Sequence, residues 1–268
     1  MPEPVLITVA HGSKDPRAAA TIETLTSLVR SRAAARGVDV RTAYLGHAAP
    51  SLPQVLGTVH AGQRVTVLPL LLTAAFHSKT DIPRLLARIP LREDTVTYGA
   101  TLGPHPLLID ALERRLAQCG ADGGEAGGEA GAALDDRAGT AVVLAAAGSS
   151  DPEANATIAR LATRWQARGG WHSVVPAYAS AASPRPGAAV RAALRPGVRG
   201  RGVSGRGARR VVVATYLLAP GFFADRIRND ALAAGAVAVA PVLGAAPEIA
   251  DIVLDRYAAV GADRQNAA

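Results

Sequence analysis

Two histidines stand just after apolar runs that are typical of buried strands. His11 directly follows Val5–Ala10, and His77 comes shortly after the run Arg64–Leu72. A neutral imidazole binds divalent transition metals and takes up a proton near neutral pH. Two imidazoles facing one crevice would hold a metal and leave coordination positions open, whereas a structural zinc site uses four ligands. Because a histidine after a strand can also do no more than cap a turn, the pairing needs support from the rest of the chain.

That support comes from an internal repeat. The stretch Ala141–Pro152 restarts the pattern of strand, turn and helix that opens the chain. Four turn residues are kept between the two copies: Gly12, Ser13, Asp15 and Pro16 match Gly148, Ser149, Asp151 and Pro152. Both histidines are lost, since Ala147 replaces His11 and Phe223 replaces His77. A kept turn with both histidines missing indicates that the two histidines work as a pair in one site.

Alternating strands and helices position this pair. Asp15-Pro16 gives an N-cap and a first helical residue, and apolar residues recur on one face of the helix that follows. Further strands are predicted at Val38–Leu45, Arg64–Leu72 and Asp94–Tyr98, and further helices at Ser51–His60, Asp81–Ala87 and Pro106–Ala117. In a parallel sheet with strand order 2-1-3-4, strands one and three are neighbours, and ligands bind at the carboxyl rim where the winding reverses. We expect His11 and His77 to meet there, and Asp81 to cap its helix as Asp15 does.

The repeat defines the predicted domain organisation. We predict an α/β protein of two similar doubly wound parallel-sheet domains in tandem, each with a four-stranded core. The N-terminal domain, 1–119, carries the metal site, and the C-terminal domain, 140–268, lacks the histidines. Low-complexity sequence between them, 120–139, predicts a flexible Gly/Ala/Glu linker. Fusion of two pseudo-symmetric halves favours a monomer.

The net charge of +7 is a local feature. Eight arginines and no acidic residue lie in Arg185–Arg210, and without them the chain has 21 basic and 22 acidic side chains. This Gly- and Pro-rich stretch predicts a flexible, solvated insertion rather than a nucleic-acid site, because no aromatic residues interleave with the charges. A nucleic-acid binder would depend on this stretch alone, and its binding would fall steeply with salt. We expect no nucleic-acid partner.

Composition excludes several other classes. The single cysteine, Cys119, rules out an internal disulfide and cysteine-ligated zinc or iron–sulfur sites. No apolar run approaches the length of a membrane span, and the first residues lack the basic region of a signal peptide. We therefore expect a cytoplasmic protein with no membrane partner.

The segments AHGSKDPR and LLLTAAFHSKTDIP, about sixty residues apart, together resemble the sirohydrochlorin chelatase family of tetrapyrrole biosynthesis. The resemblance extends over nearly the whole chain, because long members of that family are two fused chelatase-like halves. It implies insertion of a divalent metal into sirohydrochlorin with release of two protons. Iron would lead to sirohaem and cobalt to cobalamin, and nickel is a further candidate. The metal (Fe2+, Co2+ or Ni2+) is a substrate, and no organic cofactor is expected.

The resemblance also implies roles for individual residues. His11 would be a metal ligand and proton acceptor, and His77 the second metal ligand. The loop after strand three would line the macrocycle site together with His47, which follows strand two. The loop residues are Leu72, Thr73, Ala74, Ala75 and Phe76. Basic groups near the rim would steer the acidic substrate, or else be ordinary solvated charges; these are Lys14, Arg17, Lys79 and the arginine-rich stretch.

Two other classes share part of this pattern. A histidine phosphatase also has a His-Gly pair after its first strand, but it needs an arginine directly before the histidine, where this chain has Ala10. A non-catalytic metal or tetrapyrrole carrier would use the same His11/His77 pair. Turnover beyond one equivalent separates the enzyme from the carrier.

Overall fold

Two four-stranded parallel sheets make up the framework. The computed structural model describes residues 3–60, 62–74, 80–88, 95–121, 125–199, 203–205 and 207–266. The first sheet contains β1 (Val5–Ala10), β2 (Asp39–Tyr44), β3 (Val65–Pro69) and β4 (Val96–Tyr98). The second contains β5 (Thr140–Ala146), β6 (Ser173–Tyr178), β9 (Arg210–Tyr216) and β10 (Ala238–Val239). In a separate two-stranded sheet, β7 (Gly197–Arg199) pairs antiparallel with β8 (Val203–Gly205).

Nine helices accompany the strands in the described residues. They are α1 (Pro16–Ala33), α2 (Leu52–Leu56), α3 (Ile82–Leu86), α4 (Leu107–Ala121), α5 (Glu125–Asp135), α6 (Pro152–Gly169), α7 (Pro186–Leu194), α8 (Phe222–Leu232) and α9 (Pro247–Asn266). Among the described helices, none combines the length and apolar character needed to cross a lipid bilayer.

Both sheets have the predicted strand order. The first runs β2-β1-β3-β4 and the second runs β6-β5-β9-β10, with parallel pairing throughout. Ala10 pairs with Tyr44 and Ala146 pairs with Tyr178, so the first strand of each sheet ends level with its neighbour. β1 and β5 are buried over their whole length, as expected for central strands covered on both faces. The α/β class and the duplicated architecture are therefore confirmed.

The chain forms two compact units whose bounds differ from the predicted ones. The first unit comprises Met1–Leu108, Leu218–Gly221 and Gly244–Ala268, and the second comprises Ile109–Leu217 and Phe222–Leu243. Thus α9, from the far end of the chain, belongs to the first unit, and most of α4 belongs to the second. Periodicity tells which face of a helix is apolar, but it does not tell which sheet that face will cover.

The helix α9 packs on α1 and β3 of the first sheet. Its inner residues Ile249, Ala250, Ile252 and Val253 are completely buried. The guanidinium of Arg32, on α1, donates to the carbonyl oxygen of Pro247 (2.9 Å) and pairs with the carboxylate of Asp251. Burial of this apolar face, with the ion pair at its edge, holds α9 in the first unit.

The structure corrects the prediction of a flexible linker over 120–139 for residues 125–139, whereas residues 122–124 lie outside the described part. Residues 125–135 form α5, whose Ala130 and Ala133 are buried in the second unit, where the helix packs on β9 and β10. Alanine, leucine and glutamate have high helix propensities, whereas each glycine in the stretch costs about 1 kcal/mol relative to alanine. The spacing of three residues places both buried alanines on one face, and packing of that face stabilises the helix.

The two tryptophans of the second unit share one hydrogen-bond acceptor, a carboxylate on α4. Glu113, on α4, accepts hydrogen bonds from the indole nitrogens of Trp165 (2.7 Å) and Trp171 (3.2 Å). It also pairs with the guanidinium of Arg137 (2.8 Å), which lies 4.5 Å from the centre of the Trp171 ring. Trp165 is completely buried. The tryptophans are thus packing residues whose buried N–H groups need this acceptor.

The arginine-rich stretch is more ordered than predicted. Its start forms α7, with Ala189 and Val190 buried in the core of the second unit, and β7 and β8 follow as an antiparallel pair of strands. The prediction of a flexible loop over Arg185–Arg210 is wrong for α7, because the apolar residues between the arginines pack on the second sheet. Residues 200–202 and 206 lie outside the described part.

A side chain of α9 also binds the loop that follows β4. The guanidinium of Arg256 donates to the carbonyl oxygens of Thr101 (2.9 Å) and Pro104 (2.8 Å). His105 follows directly, and its Nδ1 accepts a hydrogen bond from the Leu107 N–H (3.3 Å) while its Nε2 lies 3.5 Å from the carboxylate of Asp255. The bond from Leu107 requires an unprotonated Nδ1.

This arrangement predicts a pH-dependent stability. Burial, together with the nearby charge of Arg256, lowers the pKa of His105 and outweighs the opposing effect of Asp255. Between this lowered pKa and the unfolded value of about 6.5, the unfolded chain binds more protons, so stability falls as the pH falls through that interval. We expect the midpoint of thermal unfolding to drop between pH 7 and pH 5, and His105→Asn to flatten the drop. Asparagine does not titrate, and its amide oxygen is able to accept the same hydrogen bond.

His172→Asn serves as the control. If the unfolding midpoint of His105→Asn falls with pH as steeply as that of the wild type, the pH dependence does not come from His105.

Candidate functional site

The loop after β1 places His11 at the rim of the first sheet. β1 is fully buried, and His11 is the first exposed residue after it. Gly12 follows with a φ of +87°, and a Cβ atom at this position would lie 1.7 Å from the carbonyl oxygen of Gly46. Only glycine therefore fits. Beyond it, Asp15 caps α1 by accepting the backbone N–H of Arg17 (2.9 Å), as predicted.

The second unit repeats this turn in detail. Gly148 has a φ of +84°, and a Cβ atom there would lie 2.0 Å from the carbonyl oxygen of Ser180. Asp151 caps α6 by accepting the N–H of Glu153 (2.9 Å). The residues kept between the two copies thus build the turn and the helix start, and Ala147 occupies the place of His11.

The loop after β2 brings a second histidine beside the first. The N–H of Leu45 donates to the carbonyl oxygen of Ala10 (3.0 Å), and the N–H of Gly46 donates to that of His11 (3.1 Å). His47 follows with a φ of +61°, and the corresponding residue of the second unit, Ala181, has a φ of +55°. The repeat therefore lost His47 as well as His11. This loss is visible in the sequence, because His47 and Ala181 each lie three residues after equivalent tyrosines, Tyr44 and Tyr178.

The ring of His11 has a defined hydrogen bond. Its Nδ1 lies 3.0 Å from the carbonyl oxygen of Gly12. Because a carbonyl oxygen only accepts, Nδ1 carries the hydrogen in this contact, and the lone pair of the neutral ring is on Nε2. A histidine oriented in this way by its second nitrogen is suited to bind a metal or accept a proton through Nε2.

Next to this loop the first unit contains a cavity of about 430 Å³. Its lining residues are His11, Leu45, Gly46, His47, Asp81, Arg84, Leu85 and Arg88. The structure thus brings together the predicted His11 and His47. Leu72, Thr73 and Ala74 are described but do not line this cavity. Ala75, Phe76 and His77 lie outside the described residues, so their predicted roles stay predictions.

Four lining residues come from α3 and the residues next to its two ends, and none of them was predicted as a site residue: Asp81, Arg84, Leu85 and Arg88. Asp81 was expected to cap α3, as Asp15 caps α1, and this is wrong. Its backbone is already helical (φ −70°, ψ −49°), and its side chain makes no capping hydrogen bond. An N-cap needs extended backbone to turn its side chain towards the helix amides. Arg84 and Arg88 were indistinguishable from solvated surface charges.

One of the basic residues considered for substrate steering is already paired. The guanidinium of Arg17 donates to both carboxylate oxygens of Asp15, at 3.1 Å and 2.6 Å. These hydrogen bonds lower the pKa of Asp15. Lys79 lies outside the described part, so the cations that the structure places at the cavity are Arg84 and Arg88. Within the residues that the structure describes, no group of three or more His, Cys, Asp or Glu side chains is arranged to hold a metal ion.

Comparison with known proteins identifies the family. The CbiX family model matches residues 5–119 and 141–260, so it covers both halves of the chain. The chain belongs to the CbiX family. Among relatives of the family, the sirohydrochlorin cobaltochelatase of Priestia megaterium is 26% identical over 225 residues, which are 82% of this chain and 66% of that protein.

Another relative from Priestia megaterium, a sirohydrochlorin ferrochelatase, is 26% identical over 62% of this chain and 55% of its own length. The chain thus spans less than two thirds of either curated relative. Among solved structures, SirB from Bacillus subtilis with Fe3+ has a TM-score of 0.73 at 19% identity, with 98% of both chains covered. This structural similarity supports the CbiX fold of two chelatase-like halves.

Proposed function

We propose that this protein is a sirohydrochlorin chelatase, a lyase that inserts a divalent metal into the tetrapyrrole and releases two protons. The observation that carries the proposal is the position of His11, exposed at the rim of a cavity that His47 also lines, in a CbiX family chain. The relatives named above are a ferrochelatase and a cobaltochelatase. Both histidines are replaced in the second unit, which supports one site per chain.

The chemistry required of the site follows from the reaction. The macrocycle loses two pyrrole N–H protons as its nitrogens bind the cation. A site that holds the cation by few protein ligands can give it up to four nitrogens, and an imidazole that has released the metal regains a lone pair that can accept a proton. We assign this double role to Nε2 of His11, which takes up one of the two protons, while the other is released to water at the exposed rim. His77 is proposed as the second ligand, and His47 as a contact of the macrocycle.

A non-catalytic carrier would use the same residues, and the amount of metallated product per chain distinguishes it from an enzyme. The purified full chain is mixed anaerobically with an excess of sirohydrochlorin and Fe2+, Co2+ or Ni2+, and the visible spectrum of the metallated product is followed. We expect many turnovers per chain above the spontaneous rate for iron or cobalt. Product limited to one equivalent would indicate a carrier, and a rate equal to the spontaneous one for all three metals would overturn the proposal.

Three expectations from the sequence stay predictions alongside this proposal. They are a cytoplasmic location, a monomeric state and the absence of a nucleic-acid partner. Size-exclusion chromatography with light scattering tests the second, and binding of duplex and single-stranded DNA at low salt tests the third.

A further inference from the structure

The cavity has a cationic side that the reaction scheme above does not use. Arg84 and Arg88 are four residues apart, and Asp81 lies three residues before Arg84, so the three share one face of the α3 turn. All three line the cavity together with His11.

The orientation of α3 about its own axis determines which of its side chains face the cavity. Ile82 is completely buried in the core of the first unit, whereas Arg84 and Arg88 are exposed. The helical turn continues beyond the end of α3, because the N–H of Arg88 donates to the carbonyl oxygen of Leu85 (3.2 Å). With Ile82 held in the core, both guanidinium groups stay on the cavity side.

The two arginines differ from three other arginines of the first unit, whose charges are already paired. Arg17, Arg32 and Arg41 each form an ion pair with an aspartate of that unit. For Arg84 and Arg88, no ion pair is present within the described part of the chain. Their charge is therefore available to an anionic ligand.

The second unit lacks the pair, as it lacks the histidines. At the spacing that matches His77 with Phe223, Arg84 corresponds to Asp230 and Arg88 corresponds to Ala234. Asp230 lies 3.8 Å from the guanidinium of Arg226 in an ion pair on α8. Because the second unit lacks both the arginine pair and the site histidines, we infer that the arginines and the histidines serve the same site.

We propose that Arg84 and Arg88 form an anion-binding pair that holds peripheral carboxylates of the macrocycle and positions its centre at His11. The inference rests on the proposed function for the identity of the substrate, which carries eight carboxylates. A guanidinium binds a carboxylate through two parallel hydrogen bonds, so a pair one helical turn apart fixes orientation as well as adding affinity. The arginines are positioning residues, and they take no part in proton transfer.

The test is the variant Arg84→Gln/Arg88→Gln, with each single variant alongside. We expect KM for sirohydrochlorin to rise about 10-fold or more in the double variant, in keeping with the loss of charged hydrogen bonds, and kcat to stay within about twofold. The control Arg160→Gln/Arg191→Gln removes the same charge from exposed positions of α6 and α7. It should leave KM unchanged, which separates local binding from the effect of net charge.

A second measurement needs no turnover. Quenching of porphyrin fluorescence gives the affinity of the metal-free chain for uroporphyrin, coproporphyrin and mesoporphyrin, which carry eight, four and two carboxylates. We expect wild-type affinity to fall in that order and the double variant to lose most for uroporphyrin. Circular dichroism confirms that the variants are folded.

The outcomes separate this inference from the proposed function. If wild type metallates sirohydrochlorin and the double variant keeps the wild-type KM, the inference is wrong and the proposed function stands. If wild type shows no turnover but binds uroporphyrin in an arginine-dependent way, the inference stands and the proposed function is wrong. Equal loss of affinity for all three porphyrins would also overturn the inference.

Discussion

Replacing His11 with alanine is expected to lower the rate of metal insertion by about 100-fold or more, in the range usual for loss of a group that transfers protons or holds the metal. The side chain is exposed, and one hydrogen bond of its ring is to the adjacent Gly12 carbonyl oxygen. The free energy of unfolding should therefore change by no more than about 0.5 kcal/mol. Steady-state rates, corrected for spontaneous insertion, and thermal unfolding measure the two quantities.

Two controls make the His11 result specific. His172→Ala removes an imidazole from the second unit and should leave the rate unchanged. A Co2+ titration followed by the visible absorption of the bound ion reports metal binding without turnover, and His11→Ala should weaken that binding. A variant that keeps both the rate and the Co2+ affinity within about threefold of wild type would show that the reaction occurs elsewhere.

The second large effect is expected at Gly12. In Gly12→Ala, the new methyl group would lie 1.7 Å from the carbonyl oxygen of Gly46, at a φ of +87° that alanine disfavours. The loop that carries His11 and the loop that carries His47 must then separate. We expect a loss of roughly 2–4 kcal/mol of stability, together with a loss of activity in the protein that remains folded.

Other glycines of the chain supply matched comparisons. Gly148→Ala creates the same conflict in the second unit, 2.0 Å from the carbonyl oxygen of Ser180, so it should cost similar stability. Gly37→Ala has a positive φ of +59° but no atom within 4 Å, so it should cost about 1 kcal/mol from conformation alone. Denaturant unfolding ranks the three variants. Equal costs for Gly12→Ala and Gly37→Ala would show that the close approach of Gly46 is unimportant.

The elements predicted from sequence are those whose signals are local. Asp15 and Asp151 each accept the backbone N–H two residues later, and a proline follows each of them, so the start of each helix follows directly from the sequence. The apolar runs of β1 and β5, separated by helices of suitable length, allow few sheet topologies other than the observed one. His11 could be placed at the rim because a strand end and a glycine turn determine it.

Features that depend on distant partners could not be predicted in this way. The alanine face of α5 gives no indication that it packs on β9 and β10, strands that come later in the chain. Asp81, like Asp15, stands just before a helix that has a proline in its first turn. The backbone at Asp81 is already helical, however, so its side chain does not cap α3. Arg84 and Arg88 become site candidates only when the burial of Ile82 fixes which way α3 faces.

Because α9 belongs to the first unit, the two units are completed in a definite order during synthesis. The ribosome releases β1 to β4 first, but the unit that contains them needs Gly244–Ala268 to cover α1 and β3. The second unit has all its residues once Leu243 has emerged. The half that begins the chain is therefore the last to be finished, and its nascent sheet must wait with an uncovered apolar face while more than a hundred further residues are translated, at roughly 5–20 residues per second. A nonsense mutation or protease cut near residue 244 would spare the second unit and leave the first unit, which carries His11 and His47, incomplete.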